Sequence, residues 1–298
     1  MTSRRVLARV LAPVLLAATG AGCGAAAVSS LAEDKARRDI PIAICRKALA
    51  PTELTENGGP KPEAYWALLV PTFHGFGVAL EPGASNCVGE PARTPAQETA
   101  ASASRTAVVA GDSTVSPAGD GIEIAWLRTS AISDRVAAGL LAIVRPRPSE
   151  IDVYSIGSYQ GSARHSRFEL LHLGTTIGVL ARDEACADVK VDTECESVAT
   201  IYVVAGGQLT AAAKTTLERM QFGTLKDIGK VKYRLTTDPP VIDGATIHVH
   251  EHLSVRDASD DEVRKSEGER VFTLSGDDLT ASQASIWPPS TGKPERAP

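Results

Sequence analysis

The sequence lacks a basic surplus. Its 31 Lys and Arg face 36 Asp and Glu across 298 residues, a formal net charge of −5. A dedicated nucleic-acid binder would carry the opposite balance, so that class is excluded. Long hydrophobic runs are missing too, which excludes a polytopic membrane protein. Glycine and proline follow no fixed period, so neither a collagen-like chain nor a propeller or solenoid is expected. Aromatic residues make up only 4%, yet 43% of the chain is apolar, too much for a wholly disordered one. Also absent are a P-loop, a dinucleotide fingerprint, a His-Glu-x-x-His zinc motif and a calcium loop. No two cysteines stand at Cys-x-x-Cys spacing, the pattern of a redox or zinc site.

What is present starts at the N-terminus. Arg4, Arg5 and Arg9 precede a short apolar stretch from Val10 to Ala18, then small residues from Thr19 to Gly22, then Cys23. The pattern is that of an export signal, too short in its apolar part to stay across a bilayer. Small residues running into a Cys resemble the lipobox of bacterial lipoproteins, with Gly20 where that family usually carries Leu. The resemblance implies removal of residues 1–22 and acylation of Cys23 as the first mature residue. The membrane then becomes a partner through acyl chains. Gly24, where an inner-membrane lipoprotein has Asp, implies the outer membrane, facing the periplasm. The competing expectation is cleavage after Ala25-Ala26-Ala27 and a soluble secreted protein. Loss of the three Arg moves the net charge from −5 to −8, which favours solubility.

Five cysteines are present: Cys23, Cys45, Cys87, Cys186 and Cys195. Lipidation of Cys23 leaves four, an even number able to pair in an oxidising compartment. Of the three connectivities, the local one is expected: Cys186 with Cys195, and Cys45 with Cys87.

Along the body, residues 23–32 form a small, polar tether. Residues 33–104 form an N-terminal segment. It holds a helix over 33–50, with Ile42, Cys45 and Leu49 at helical spacing, and one or two short strands over 64–80. A Pro/Ala/Ser-rich linker follows over 88–105. Between 105 and 279, short apolar runs alternate with turn signals such as Leu173-Gly174-Thr175 and Ala205-Gly206-Gly207-Gln208, starting with a strand over 105–110. The fold class is mainly β, an antiparallel meander forming a curved sheet, sandwich or barrel with a short N-terminal helical segment. Val136 to Val144 is apolar throughout and suits a strand or a buried helix equally. Trp66 and Trp126 are core candidates. The tail, 280–298, is expected to be disordered.

Half of the six histidines stand in Ile247-His248-Val249-His250-Glu251-His252-Leu253. On a strand the three project from one face, neighbours about 6.8 Å apart. His248 and His250 could tilt onto one metal, with a third ligand from His172, His74 or a carboxylate. His-x-His on a strand resembles cupins and carbonic anhydrases, but the later cupin motifs are absent. Without a metal, the same residues form the polar side of an amphipathic strand, with Ile247, Val249, Leu253 and Val255 opposite and Glu251 as the exception. Gly111-Asp112-Ser113 resembles the nucleophile block of SGNH hydrolases. The supporting Asn and Asp-x-x-His blocks are absent downstream, so a turn is expected. No catalytic set and no cofactor signature emerges. The sequence reads as a lipid-anchored envelope protein, a non-enzymatic binding, carrier or assembly module whose partner is an envelope protein or small ligand. The alternative is a metal-dependent enzyme using His248 and His250.

Overall fold

The computed structural model describes residues 42–104, 107–190 and 193–287. The signal segment, Cys23, the tether, the start of the helix expected over 33–50 and the tail beyond residue 287 lie outside the described residues. The elements are β1 (Cys45–Ala48), α1 (Pro62–Leu69), α2 (Pro95–Ser104), β2 (Ser113–Gly119), β3 (Ile122–Ala131), β4 (Val136–Arg147), β5 (Glu150–Ser162), β6 (Ser166–Leu173) and β7 (Thr176–Asp183). They continue with β8 (Cys195–Ala205), β9 (Gln208–Leu225), β10 (Gly229–Thr237), β11 (Val241–Asp243), β12 (Thr246–Asp257), β13 (Glu262–Ser275) and β14 (Asp278–Ala281).

All fourteen strands belong to one mostly antiparallel sheet that does not close. Two meanders compose it. One runs β2-β3-β4-β5; the other runs from β6 through β7, β8, β9, β10, β12 and β13 to β14, with β11 on β12. A short parallel contact joins them, Ile156 opposite Gln208 and Gly157 opposite Leu209. There the strands approach so closely that a Cβ on Gly157 would lie 2.3 Å from the Leu209 carbonyl oxygen. The β8–β9 turn needs positive φ at both Gly206 (57°) and Gly207 (86°), the demand of a tight hairpin that only glycine meets cheaply.

The sheet folds back on itself into three β layers. Leu127, Leu140, Val144, Ile151 and Val153 of β3–β5 pack under α1 with Trp66 and Leu69. Their other face, Ile124, Trp126, Leu141 and Ile143, meets Phe168, Val179 and Tyr202 of β6–β8. The back of β6–β8, Leu171, Leu180, Ile201 and Val203, meets Ile247, Val249, Phe272 and Leu279 of β12–β14. The run from Val136 to Val144 is therefore a strand covered on both sides, which is why it shows no alternation. Trp66 and Trp126 are core residues, 0% and 1% exposed.

Both disulfides form as expected, Cys45–Cys87 and Cys186–Cys195.

Several expectations are corrected. Cys45–Ala48, expected as helix, is strand β1: it pairs with β5, Cys45 opposite Val153, and sheet hydrogen bonds outweigh the helical spacing. Through β1 the N-terminal segment thus contributes a strand to the sheet formed by residues after 105. Within 64–80 the strand expectation gives way to α1. Pro62 sits in its first turn with Glu63 beside it, and five of its eight residues are buried, so no one-sided period betrays the helix. The linker expected over 88–105 contains α2 and docks on β3. Arg93, 7% exposed, donates from Nε to the Thr129 carbonyl at 2.7 Å. The helix opens with a reciprocal cap, Gln97 N–H to Thr94 Oγ1 and Thr94 N–H to Gln97 Oε1. The strand expected over 105–110 begins instead at Ser113. Val108 pairs its backbone with Gly77 and Val78, and Ala110–Asp112 forms a 3-10 turn. Of the tail expected to be disordered, residues 280–287 are ordered, first as the end of β14 and then as a segment laid across the sheet.

Candidate functional site

The histidine strand is β12, between β10 and β13. Its burial alternates as the sequence implies: Ile247, Val249, Leu253 and Val255 are buried, and the histidines face outward. Register places His250 opposite Glu269 and His252 opposite Glu267. His248 Nδ1 lies 2.8 Å from Glu269 Oε1, and His250 Nε2 lies 3.6 Å from the same oxygen. His252 stands between Asp238 Oδ2 at 3.1 Å and Glu267 Oε1 at 3.8 Å. The hydrogen bond from His248 holds the Glu269 carboxyl below the usual carboxylate range. A hydrogen bond from Lys265 does the same for Glu267, with His252 adding a smaller pull. The outward face is thus a solvent-washed ladder of imidazoles and carboxylates.

The expected third ligands are not brought to it. His172 is exposed on β6, which pairs with β7 and not with β12. His74 lies in the loop after α1, 3.6 Å from Glu81. Among the described residues, no group of three or more His, Cys, Asp or Glu is placed to hold a metal ion. Ser113 donates its hydroxyl to the Ala110 carbonyl, and Asp112 accepts the Val109 N–H; this is a local turn without a histidine on the serine. Asp257, at the start of the acidic 257–262 stretch, accepts the N–H groups of Ser259 and Asp261, again a local turn.

The other face of β12 holds what the sequence reading missed. Glu251 is 0% exposed on the apolar side of the strand. Its Oε1 accepts from Arg270 Nη1 at 3.2 Å; its Oε2 accepts from Ser285 Oγ at 2.9 Å and from the Ile286 N–H at 2.8 Å. Arg270 also donates to Thr215 Oγ1 and to the Gln283 carbonyl, each at 3.3 Å, and its guanidinium lies over the Phe272 ring. Beyond Ser285 the Trp287 ring sits under the Arg219 guanidinium, 4.7 Å from centroid to Cζ, and edge-on to Tyr233. Only the break in alternation at Glu251 hinted at this arrangement. At the far end of β9, β10 and β12 opens a cleft of about 890 Å3, lined among others by Phe222, Lys230, Val231 and Asp257.

Comparison with protein-family models, with curated proteins and with solved structures yields no match.

Proposed function

We propose that this protein is exported, anchored by acyl chains on Cys23 in the outer membrane facing the periplasm, and that its folded domain is a non-enzymatic binding or assembly module of the cell envelope. The observation that supports the anchor most directly is the pairing of cysteines. Cys45–Cys87 and Cys186–Cys195 use four of the five, leaving Cys23 alone at the end of an export-like segment. Disulfides of this kind are compatible with an oxidising compartment and uncommon in a reducing one. For the module, support comes from the scaffold. Its histidine face carries paired imidazoles and carboxylates open to solvent, and its opposite face holds the Glu251 carboxylate in an apolar strand, met by the main chain and hydroxyl of a crossing segment.

Fractionation tests the anchor. Wild-type protein is expected in the membrane fraction and Cys23→Ser in the soluble envelope fraction. Wild-type protein that is already soluble and begins after Ala27 would overturn it.

A further inference from the structure

We propose that residues 283–287 are a displaceable strap lying in a peptide-binding groove of this domain. The groove takes an extended segment in which a hydroxyl-bearing residue is followed by an aliphatic and then an aromatic one. This rests on the reading of the domain as a binding module and names the chemistry of what it binds.

The strap leaves the sheet at a definite point. Ser282 still pairs with Val271 through its N–H and its hydroxyl. From Gln283 onward the chain crosses β13, β12 and β10 toward β9, as its contacts with Arg270, Glu251, Tyr233 and Arg219 show in turn. The groove is shaped for it. Gly268 stands opposite Glu251, and a Cβ there would lie 2.6 Å from Ile286 Cγ2, so the missing side chain is a notch that Ile286 enters.

Recognition divides into two parts. Arg270 donates to the Gln283 carbonyl and Glu251 accepts the Ile286 N–H, so an acid and a base read the main chain of any extended segment. The Ser285 hydroxyl on Glu251 and the Trp287 ring between Arg219 and Tyr233 read side chains. Burial is lopsided. Glu251 and Thr215 are 0% and 2% exposed, whereas Ser285, Ile286 and Trp287 all remain partly exposed. The recognition groups belong to the sheet and the occupant lies on top, which is the geometry of a bound segment more than of a core element. An equivalent segment from another chain could make each of these contacts.

The test uses the full chain and a fluorescent, end-blocked pentapeptide Gln-Ala-Ser-Ile-Trp, followed by anisotropy. Wild-type protein, its groove occupied, should bind the peptide at least tenfold more weakly than Ile286→Ser/Trp287→Ala, whose strap is loosened. Adding Glu251→Gln to the loosened protein should weaken binding at least tenfold, and so should Gly268→Val, which fills the notch and leaves the Glu251 carboxylate in the chain. Equal binding by wild-type and loosened protein, or binding that survives both added substitutions, would overturn the proposal. If the double variant loses its circular-dichroism signature, Trp287→Ala alone takes its place. Unfolding of that variant too would make the strap part of the core and overturn the proposal. Failure here overturns this groove and its peptide alone: the anchor is tested separately by the release of Cys23→Ser, and the module reading by whether wild-type protein cross-linked in the intact envelope yields a heterologous adduct.

Discussion

Asp183, at the end of β7, shows how one half-buried carboxylate sets a pH dependence. Burial pushes its carboxyl above the usual range, and the Ser162 N–H at 3.1 Å, with Lys214 and His165 nearby, offsets only part of that. A group whose folded pKa is raised costs stability when ionised in both states, and the cost disappears below the unfolded value. Asp183→Asn keeps an oxygen for Ser162 and removes the charge. It should therefore be more stable than wild type at neutral pH. The difference should shrink as pH falls through the carboxylate range, and urea midpoints from pH 7 to pH 4 would measure it. The exposed glutamates of the histidine ladder act in the opposite sense. Glu267 and Glu269 are held low by Lys265 and His248, so their contribution is present at neutral pH and fades on acidification.

At the scale of elements, the two disulfides differ mainly in span. Cys45–Cys87 closes a separation of 42 residues and ties β1 to the loop ahead of α2; Cys186–Cys195 closes only 9. Loop-closure entropy then predicts that the Cys45→Ala/Cys87→Ala protein loses about 4 kcal/mol and the Cys186→Ala/Cys195→Ala protein about 2.5 kcal/mol. Urea unfolding of the two variants should rank them in that order. Which elements the sequence reveals follows from how many of their faces are wet. β12 can be read from Ile247 to Val255 because one side meets water and the other packs. β4 is covered on both sides, and its run Val136–Val144 has no period to distinguish strand from buried helix. α1 is hard to read for a related reason: Ala64 to Leu69 is apolar without a break, and its five buried residues span more than half of the helix circumference. For α2 a local signal did exist, the Thr94-Pro95-Ala96-Gln97 capping box, brief enough to be lost in a Pro/Ala-rich stretch. The Glu251 cluster left only a charge out of pattern. Its acceptors are met by Ser285 and Ile286, 34 and 35 residues along the chain, and contacts at that range imprint no spacing on the sequence.

At the scale of the whole fold, the two meanders share a narrow seam. Among the described residues they meet edge to edge only where β5 runs parallel to the start of β9, and Gly157 permits that approach. Gly157→Ala would drive a methyl group into the Leu209 carbonyl. Its expected cost is about 1–3 kcal/mol, measurable as a lower urea midpoint by circular dichroism. Stacking, in contrast, is broad. β6, β7 and β8 form the central layer, apolar on both sides, with Phe168, Val179 and Tyr202 toward the first meander and Leu180, Ile201 and Val203 toward β12–β14. That arrangement imposes an order in time. Strand β1 must wait for β5, with Arg46 and its partner Asp152 separated by 106 residues, and such distant pairings slow folding. A chain folding from its N-terminus completes the first two layers while the third is still unmade. Leu180, Ile201 and Val203 then stay wet until β12 to β14 arrive, so strands made well after the central layer are the ones that shield its second face.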